Sequence, residues 1–137
     1  MTECQLLQVA THCRTLIEEA LSMSGIAVTT GLCLMACTLV QRAAALAGYA
    51  AVIRGGDGLE DGGLFLPHGR YGHYWCEVSS GGEHYVVDIT ADQFGCAPVI
   101  VRPAYAPDWP RYVPGDQVLV DSHVAELLED YAKSAAQ

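Results

Sequence analysis

The sequence predicts an α+β fold in which N-terminal helices pack on an antiparallel β-sheet and a C-terminal helix follows. Three observations predict it. Apolar residues recur at three- and four-residue spacing from Leu6 to Leu21, the mark of an amphipathic helix. Two strand-like runs, Tyr71–Ser79 and His84–Thr90, flank the turn sequence Ser79-Ser80-Gly81-Gly82. A helical pattern then returns near the C-terminus.

In order along the chain, the first helix carries Leu6, Val9, Ala10, Cys13, Leu16, Ile17, Ala20 and Leu21 on its apolar stripe, and Ser24-Gly25 ends it. Ile26 to Gly31 reads as a short loop. A second helix runs from about Leu32 to Ala47, with Ala36, Val40, Ala43, Ala44 and Ala47 near one face and Gly48 at the C-cap. Tyr49 to Arg54 reads as a strand. The stretch from Gly55 to Gly69, rich in glycine and acid, reads as a loop. After the hairpin, Val99 to Arg102 is a fourth strand candidate, and a loop with Pro103, Pro107, Pro110 and Pro114 follows. Asp121 or Ser122 is expected to cap the final helix, whose apolar face is Val124, Leu127, Leu128 and Tyr131.

No repeat, low-complexity tail or linker divides residues 1–137, so the chain reads as one domain. Apolar residues make up 51% and charged residues 17%, which excludes general disorder. The net charge of -9 argues against a nucleic-acid or anionic-membrane partner. The start Met1-Thr2-Glu3-Cys4 lacks a basic n-region and no apolar stretch is long enough to span a membrane, so a cytoplasmic chain is expected, compatible with export by a route that reads no such signal. The six cysteines, without paired zinc-ligand spacing, read as thiols rather than as a disulfide framework or a metal site. No cofactor is implied.

Three residues can do chemistry together. Cys33 is expected in the first turn of the second helix, where the helix dipole favours an anion and free backbone N–H groups can hold an oxyanion. His73 lies on the strand Tyr71–Ser79 after a glycine that leaves room for close approach. Asp88 interrupts the apolar run Tyr85-Val86-Val87-Asp88-Ile89, and a carboxylate there must be paired or hydrogen-bonded. Mirroring the hairpin about Ser80-Gly81 places Asp88 opposite His73. Thiol, imidazole and carboxylate then form a nucleophile, a base and its orienter. Against this stands the plainer expectation that a cysteine is buried packing and a strand histidine a hydrogen-bonded core residue.

The motifs around these residues resemble the transglutaminase-like branch of the papain-like fold. Gly31-Leu32-Cys33 opens a helix, Gly48 follows Cys33 by fifteen residues and leads into a strand, His73-Tyr74-Trp75-Cys76-Glu77-Val78 matches the pattern His-x-Trp-x-Glu-Val, and Val87-Asp88-Ile89-Thr90 supplies the aspartate before a threonine. The stretch Asp88 to Gly95 looks more specifically like small bacterial papain-fold proteins, a group that includes toxin or effector domains regarded as protein glutamine deamidases. The likeness spans about residues 29–96. It implies Cys33 as nucleophile, His73 as base and Asp88 as orienter. Two departures stand out: Cys37, one turn on, is an alternative nucleophile, and no glutamine lies between Gly25 and Leu32 to complete an oxyanion hole, while Gln5 and Gln8 are distant in sequence. His84 and Asp92 compete with His73 and Asp88, Gln93 reads as structural, Cys76 as packing and Trp75 as core.

The resemblance implies a thiol-dependent amide hydrolase or acyltransferase that works through a thioester, foremost a protein glutamine deamidase or cysteine peptidase. Transamidation and leader-peptide processing are its neighbours in chemistry. Two other classes stay open: an inactive papain-fold binding module with a cognate protein partner, for which the acidic loop at Asp57, Glu60 and Asp61 would suit a basic surface, and a redox pair of Cys33 and Cys37, disfavoured because successive turns of one helix give poor bridge geometry.

Overall fold

A computed structural model describes residues 2–25 and 32–135. The expected loop over residues 26–31, including Gly31, lies outside the described residues. The fold is α+β. Helices α1 (Thr2–Met23) and α2 (Cys33–Leu46) precede seven strands, β1 (Ala50–Gly56), β2 (Gly63–Leu66), β3 (Gly69–Tyr71), β4 (His73–Ser80), β5 (Glu83–Asp88), β6 (Ile100–Pro103) and β7 (Arg111–Val113), and α3 (Gln117–Ala135) follows.

Every third or fourth residue of α1 is buried (Leu6, Ala10, Cys13, Ile17, Leu21). In α2 the buried residues Ala36, Cys37, Val40 and Ala44 are mostly small, which lets the helix lie close to its neighbours. Its end is a Schellman cap: Gly48 adopts φ +92°, its N–H reaches Ala45 O at 3.0 Å, and the Tyr49 N–H reaches Ala44 O at 2.9 Å. Among the described residues no helix is long and apolar enough to cross a membrane.

The strands form two antiparallel sheets, a main one in the order β1-β4-β5-β6 and a smaller one in the order β3-β2-β7. The period of two along β4 and β5 divides their side chains between the faces of the main sheet. Cys76, Val78, Tyr85 and Val87 pack with the core residues of α1 and α2. Trp75 and Val86 face the other way and pack with Leu64 of β2 and Tyr112 of β7. The main sheet is therefore sandwiched between helices and the smaller sheet.

The β4–β5 turn differs from the expected one. Ser80 pairs with Glu83, so the two turn residues are Gly81 (φ +60°) and Gly82 (φ +84°), the double left-handed geometry of a tight hairpin. The pairing is thereby offset by two residues from a mirror about Ser80-Gly81, and His73 is not directly opposite Asp88. An offset of two leaves each side chain on its original face, because the strand period is two. His73 and Asp88 become diagonal neighbours on one face, within reach of each other.

Short strands fall where loops were expected: β2 within residues 55–69 and β7 within the proline-rich stretch, while β3 begins at the end of that first loop and takes in Tyr71, which was expected to open the next strand. Each has three or four residues, and β2 pairs with β7 some fifty positions away (Gly63 with Val113), so no local pattern announces them. The segment at Gly56–Gly63 is held by close backbone approach. A Cβ on Gly115 would stand 2.0 Å from Asp61 O, so Gly115→Ala is expected to destabilise the protein by about 1–3 kcal/mol. A urea midpoint equal to that of wild type would refute the tight fit.

The final helix also starts earlier than expected. Asp116, not Asp121 or Ser122, caps it, its carboxylate accepting the Val118 N–H at 2.9 Å. Gln117-Val118-Leu119-Val120 has the look of a strand, which hides this start. Of the expected apolar face, Val124 packs against the core beside buried Val120, whereas Leu128 and Tyr131 are exposed.

Candidate active site

The site begins at α2. Cys33 is the first residue of that helix and is partly exposed. The first helical bond runs from the Ala36 N–H to Leu32 O at 2.9 Å. The earlier N–H groups have no acceptor within the helix, and Leu32 offers no side-chain cap. Among the described residues these groups have no acceptor, and they lie in the same turn as Cys33.

His73 opens β4 and is 2% exposed, while Asp88 ends β5 and is also 2% exposed. His73 Nε2 lies 2.8 Å from Asp88 Oδ2. Three further groups fix this pair. The Tyr112 hydroxyl donates to the same Oδ2 at 2.8 Å, the Thr90 N–H donates to Oδ1 at 3.0 Å, and the Phe94 ring stands edge-on to the imidazole with centroids 5.1 Å apart. The other ring nitrogen, His73 Nδ1, is buried without a hydrogen-bond partner of good geometry among the described residues. Burial disfavours a charge on this ring. The Asp88 carboxylate, by charge and hydrogen bond, and then the Cys33 side chain outweigh burial and push the imidazole up to about 9. The imidazole is thus acted on by both the Asp88 carboxylate and the Cys33 thiol.

The other cysteines are placed differently. Burial, with help from Cys76, Asp88 and Cys33, pushes the Cys37 thiol well above its ordinary value, so a thiolate is strongly disfavoured there. Cys76 is buried and donates to Cys37 O at 3.2 Å. Burial and Cys76 push Cys13 up, and burial and Asp88 push Cys96 up.

The competing histidine and aspartate are engaged elsewhere. His84 lies 3.1 Å from Glu77 Oε2, and Glu77 also receives Arg54 at 3.3 Å. Asp92 receives both terminal nitrogens of Arg14 at 2.9 Å. Gln93 donates to Thr90 O at 3.0 Å. Gln5 accepts from the Tyr49 hydroxyl, beyond the far end of α2. A helix of fourteen residues spans ~20 Å, so Gln5 is remote from Cys33. Trp75 is 1% exposed and stacks 6.4 Å from His73. In the acidic loop, Asp57 accepts the N–H groups of Leu59 and Asp61, and Asp61 accepts that of Asp116, so two of its carboxylates build the turn.

Two tyrosines at the site were not foreseen. Tyr112 sits in a three-residue strand between Pro110 and Pro114, too short for an alternating pattern to show. Tyr74 is hydrogen-bonded to His123 of α3, and burial followed by the charges of Cys33, Cys37 and Glu126 pushes its phenol up. Among the described residues no group of three or more His, Cys, Asp or Glu side chains is arranged to hold a metal ion.

No protein-family model matches the chain, and no curated protein or solved structure matches it either.

Proposed function

We propose that the protein is a thiol-dependent amide hydrolase or acyltransferase of the transglutaminase-like, papain-fold type, with Cys33 as nucleophile, His73 as acid–base and Asp88 as orienter. Protein glutamine deamidation or peptide cleavage is the foremost reaction. One observation carries the reading: a buried imidazole bonded through Nε2 to Asp88 Oδ2, acted on by Cys33, and with no hydrogen-bond partner for Nδ1 among the described residues. A merely structural histidine would have both nitrogens satisfied.

The chemistry follows from that placement. His73 takes the Cys33 thiol proton, Sγ attacks the amide carbonyl carbon, and the C–S bond forms as the carbonyl π electrons move onto oxygen, close to the first-turn N–H groups of α2. The C–N bond breaks as His73 gives that proton to the departing nitrogen, which leaves as an amine, or as ammonia if the substrate is a glutamine side chain. Water then attacks the thioester, His73 takes its proton, the C–S bond breaks and the acid leaves. An amine in place of water gives transamidation. Asp88 holds the imidazole in one orientation throughout. The net charge of -9 favours basic protein or peptide segments as substrates.

The test is iodoacetamide labelling of native protein from pH 5 to 9, with each cysteine's rate read by mass spectrometry. At pH 6, Cys33 is expected to react ~10-fold or more faster than exposed Cys4. The sign of the pH dependence follows from His73. Its folded value, about 9, lies above the unfolded 6.5, so the imidazolium and the stability it lends are fully present below ~6.5 and are lost as pH rises through about 9. Cys33's advantage is therefore expected to be largest at the acid end, to vanish near pH 9, and to be absent in His73→Ala. Equal rates for Cys33 and Cys4 at pH 6 would sink the enzyme reading and favour a binding module.

A further inference from the structure

Tyr112 belongs to neither the helix nor the hairpin that supplies the three proposed catalytic residues, yet its hydroxyl ends on one of them. It lies in β7 of the smaller sheet, paired with Leu64 of β2, and its ring meets Trp75 edge-on at 5.1 Å. The hydroxyl crosses to the main sheet and donates to Asp88 Oδ2 at 2.8 Å. A buried phenol usually finds some partner. The choice of oxygen is what matters here. Oδ1 is already served by the Thr90 N–H, and Oδ2 is the oxygen that holds His73 Nε2, also at 2.8 Å.

We propose that Tyr112 is a positioning residue of the thiol centre: by sharing Asp88 Oδ2 with His73, it fixes the carboxylate's rotation and loosens its grip on the imidazole proton. This rests on the Cys33–His73–Asp88 reading above. Three donors on two oxygens leave the carboxylate a single rotation. Two donors on one oxygen divide its negative charge between them, so each bond is weaker than it would be alone. Without the hydroxyl, Oδ2 would serve His73 only. The imidazolium would be held more tightly and would be a poorer acid toward the leaving amine. The charged neighbours are few. Asp88 and Cys33 act on His73, while Cys96 and Arg102, with Asp88, act on Tyr112. Trp75 and Phe94, the rings against His73, carry no charge.

The experiment is an NMR titration of the His73 ring in wild type, Tyr112→Phe and Leu64→Val. Phenylalanine keeps the ring and removes only the hydroxyl. Leu64→Val loosens the same cluster without touching a hydrogen bond. The wild-type midpoint is expected at about 9. In Tyr112→Phe it should rise by about half a unit or more, the size of one hydrogen bond's effect, while Leu64→Val should stay with wild type. A midpoint that is unmoved or lowered in Tyr112→Phe, or raised equally in Leu64→Val, overturns the proposal. The titration needs no substrate and no reactive thiol. Cysteine labelling that ignores His73 sinks the thiol-centre reading and this proposal with it, whereas an unmoved titration beside His73-dependent labelling sinks this one alone.

Discussion

Asp88→Asn is expected to lower the rate of Cys33 acylation by about 100-fold or more, through the imidazole rather than through the fold. The carboxylate accepts three hydrogen bonds: His73 Nε2 and the Tyr112 hydroxyl on Oδ2, and the Thr90 N–H on Oδ1. An amide has one acceptor oxygen. If that oxygen keeps Thr90, the NH2 group points at His73, whose Nε2 must then become an acceptor. The ring proton moves to Nδ1, on the side where the thiol proton has to go. If the amide turns over, its NH2 meets the Thr90 N–H instead and that contact is lost. Both arrangements remove the negative charge that supports an imidazolium. p-Nitrophenyl acetate is a suitable probe, since it acylates a reactive thiol without substrate-specific contacts. The burst of nitrophenolate should slow in step with iodoacetamide labelling of Cys33, and a burst within about threefold of wild type would remove Asp88 from the mechanism.

Trp75→Ala should have the largest effect on stability, a loss of about 3–5 kcal/mol. Trp75 is 1% exposed and fills the space between the two sheets, against Leu64, Val86 and Tyr112. No neighbouring element can collapse into the vacated volume, because β2 and β7 are tied to each other and to the glycine contacts around Asp61. Urea unfolding followed by circular dichroism reads the effect without relying on Trp109, which is 45% exposed. A loss under about 1 kcal/mol would mean that the smaller sheet does not depend on this side chain.

The legible parts of the fold are those whose signal is local. The apolar stripe of α1 needs only its own residues, and the glycine after α2 announces its own cap. The pairing of His73 with Asp88 could be anticipated for a particular reason. The expected turn was misplaced, but by an even number of residues in the pairing, so both side chains stayed on one face. An error of one would have put them on opposite faces. What stayed hidden depends on contacts between distant segments. β2 and β7 have almost no pattern until they pair, and Asp116 could not be seen as a cap in front of a strand-like run. Tyr112 was hidden for the same reason: it is a turn-region aromatic until the smaller sheet brings it across to Asp88. The acidic stretch was legible as a loop, but not that two of its carboxylates would be spent on backbone N–H groups.

The placement of Tyr112 and α3 has a consequence for the order in which the site is made. The three proposed catalytic residues are all present once Asp88 has been synthesised, and the β4–β5 pairing is local. The hydroxyl on Asp88 comes with Arg111–Val113, and the Gln117 side chain that binds Arg54 at 2.9 Å and Ile53 O at 2.8 Å comes later still. At roughly 5–20 residues per second, β7 follows Asp88 by about 1–5 s. During that interval a growing chain holds a thiol, an imidazole and a carboxylate without the second donor on Oδ2. The proposed thiol centre would then be complete only once the smaller sheet has closed.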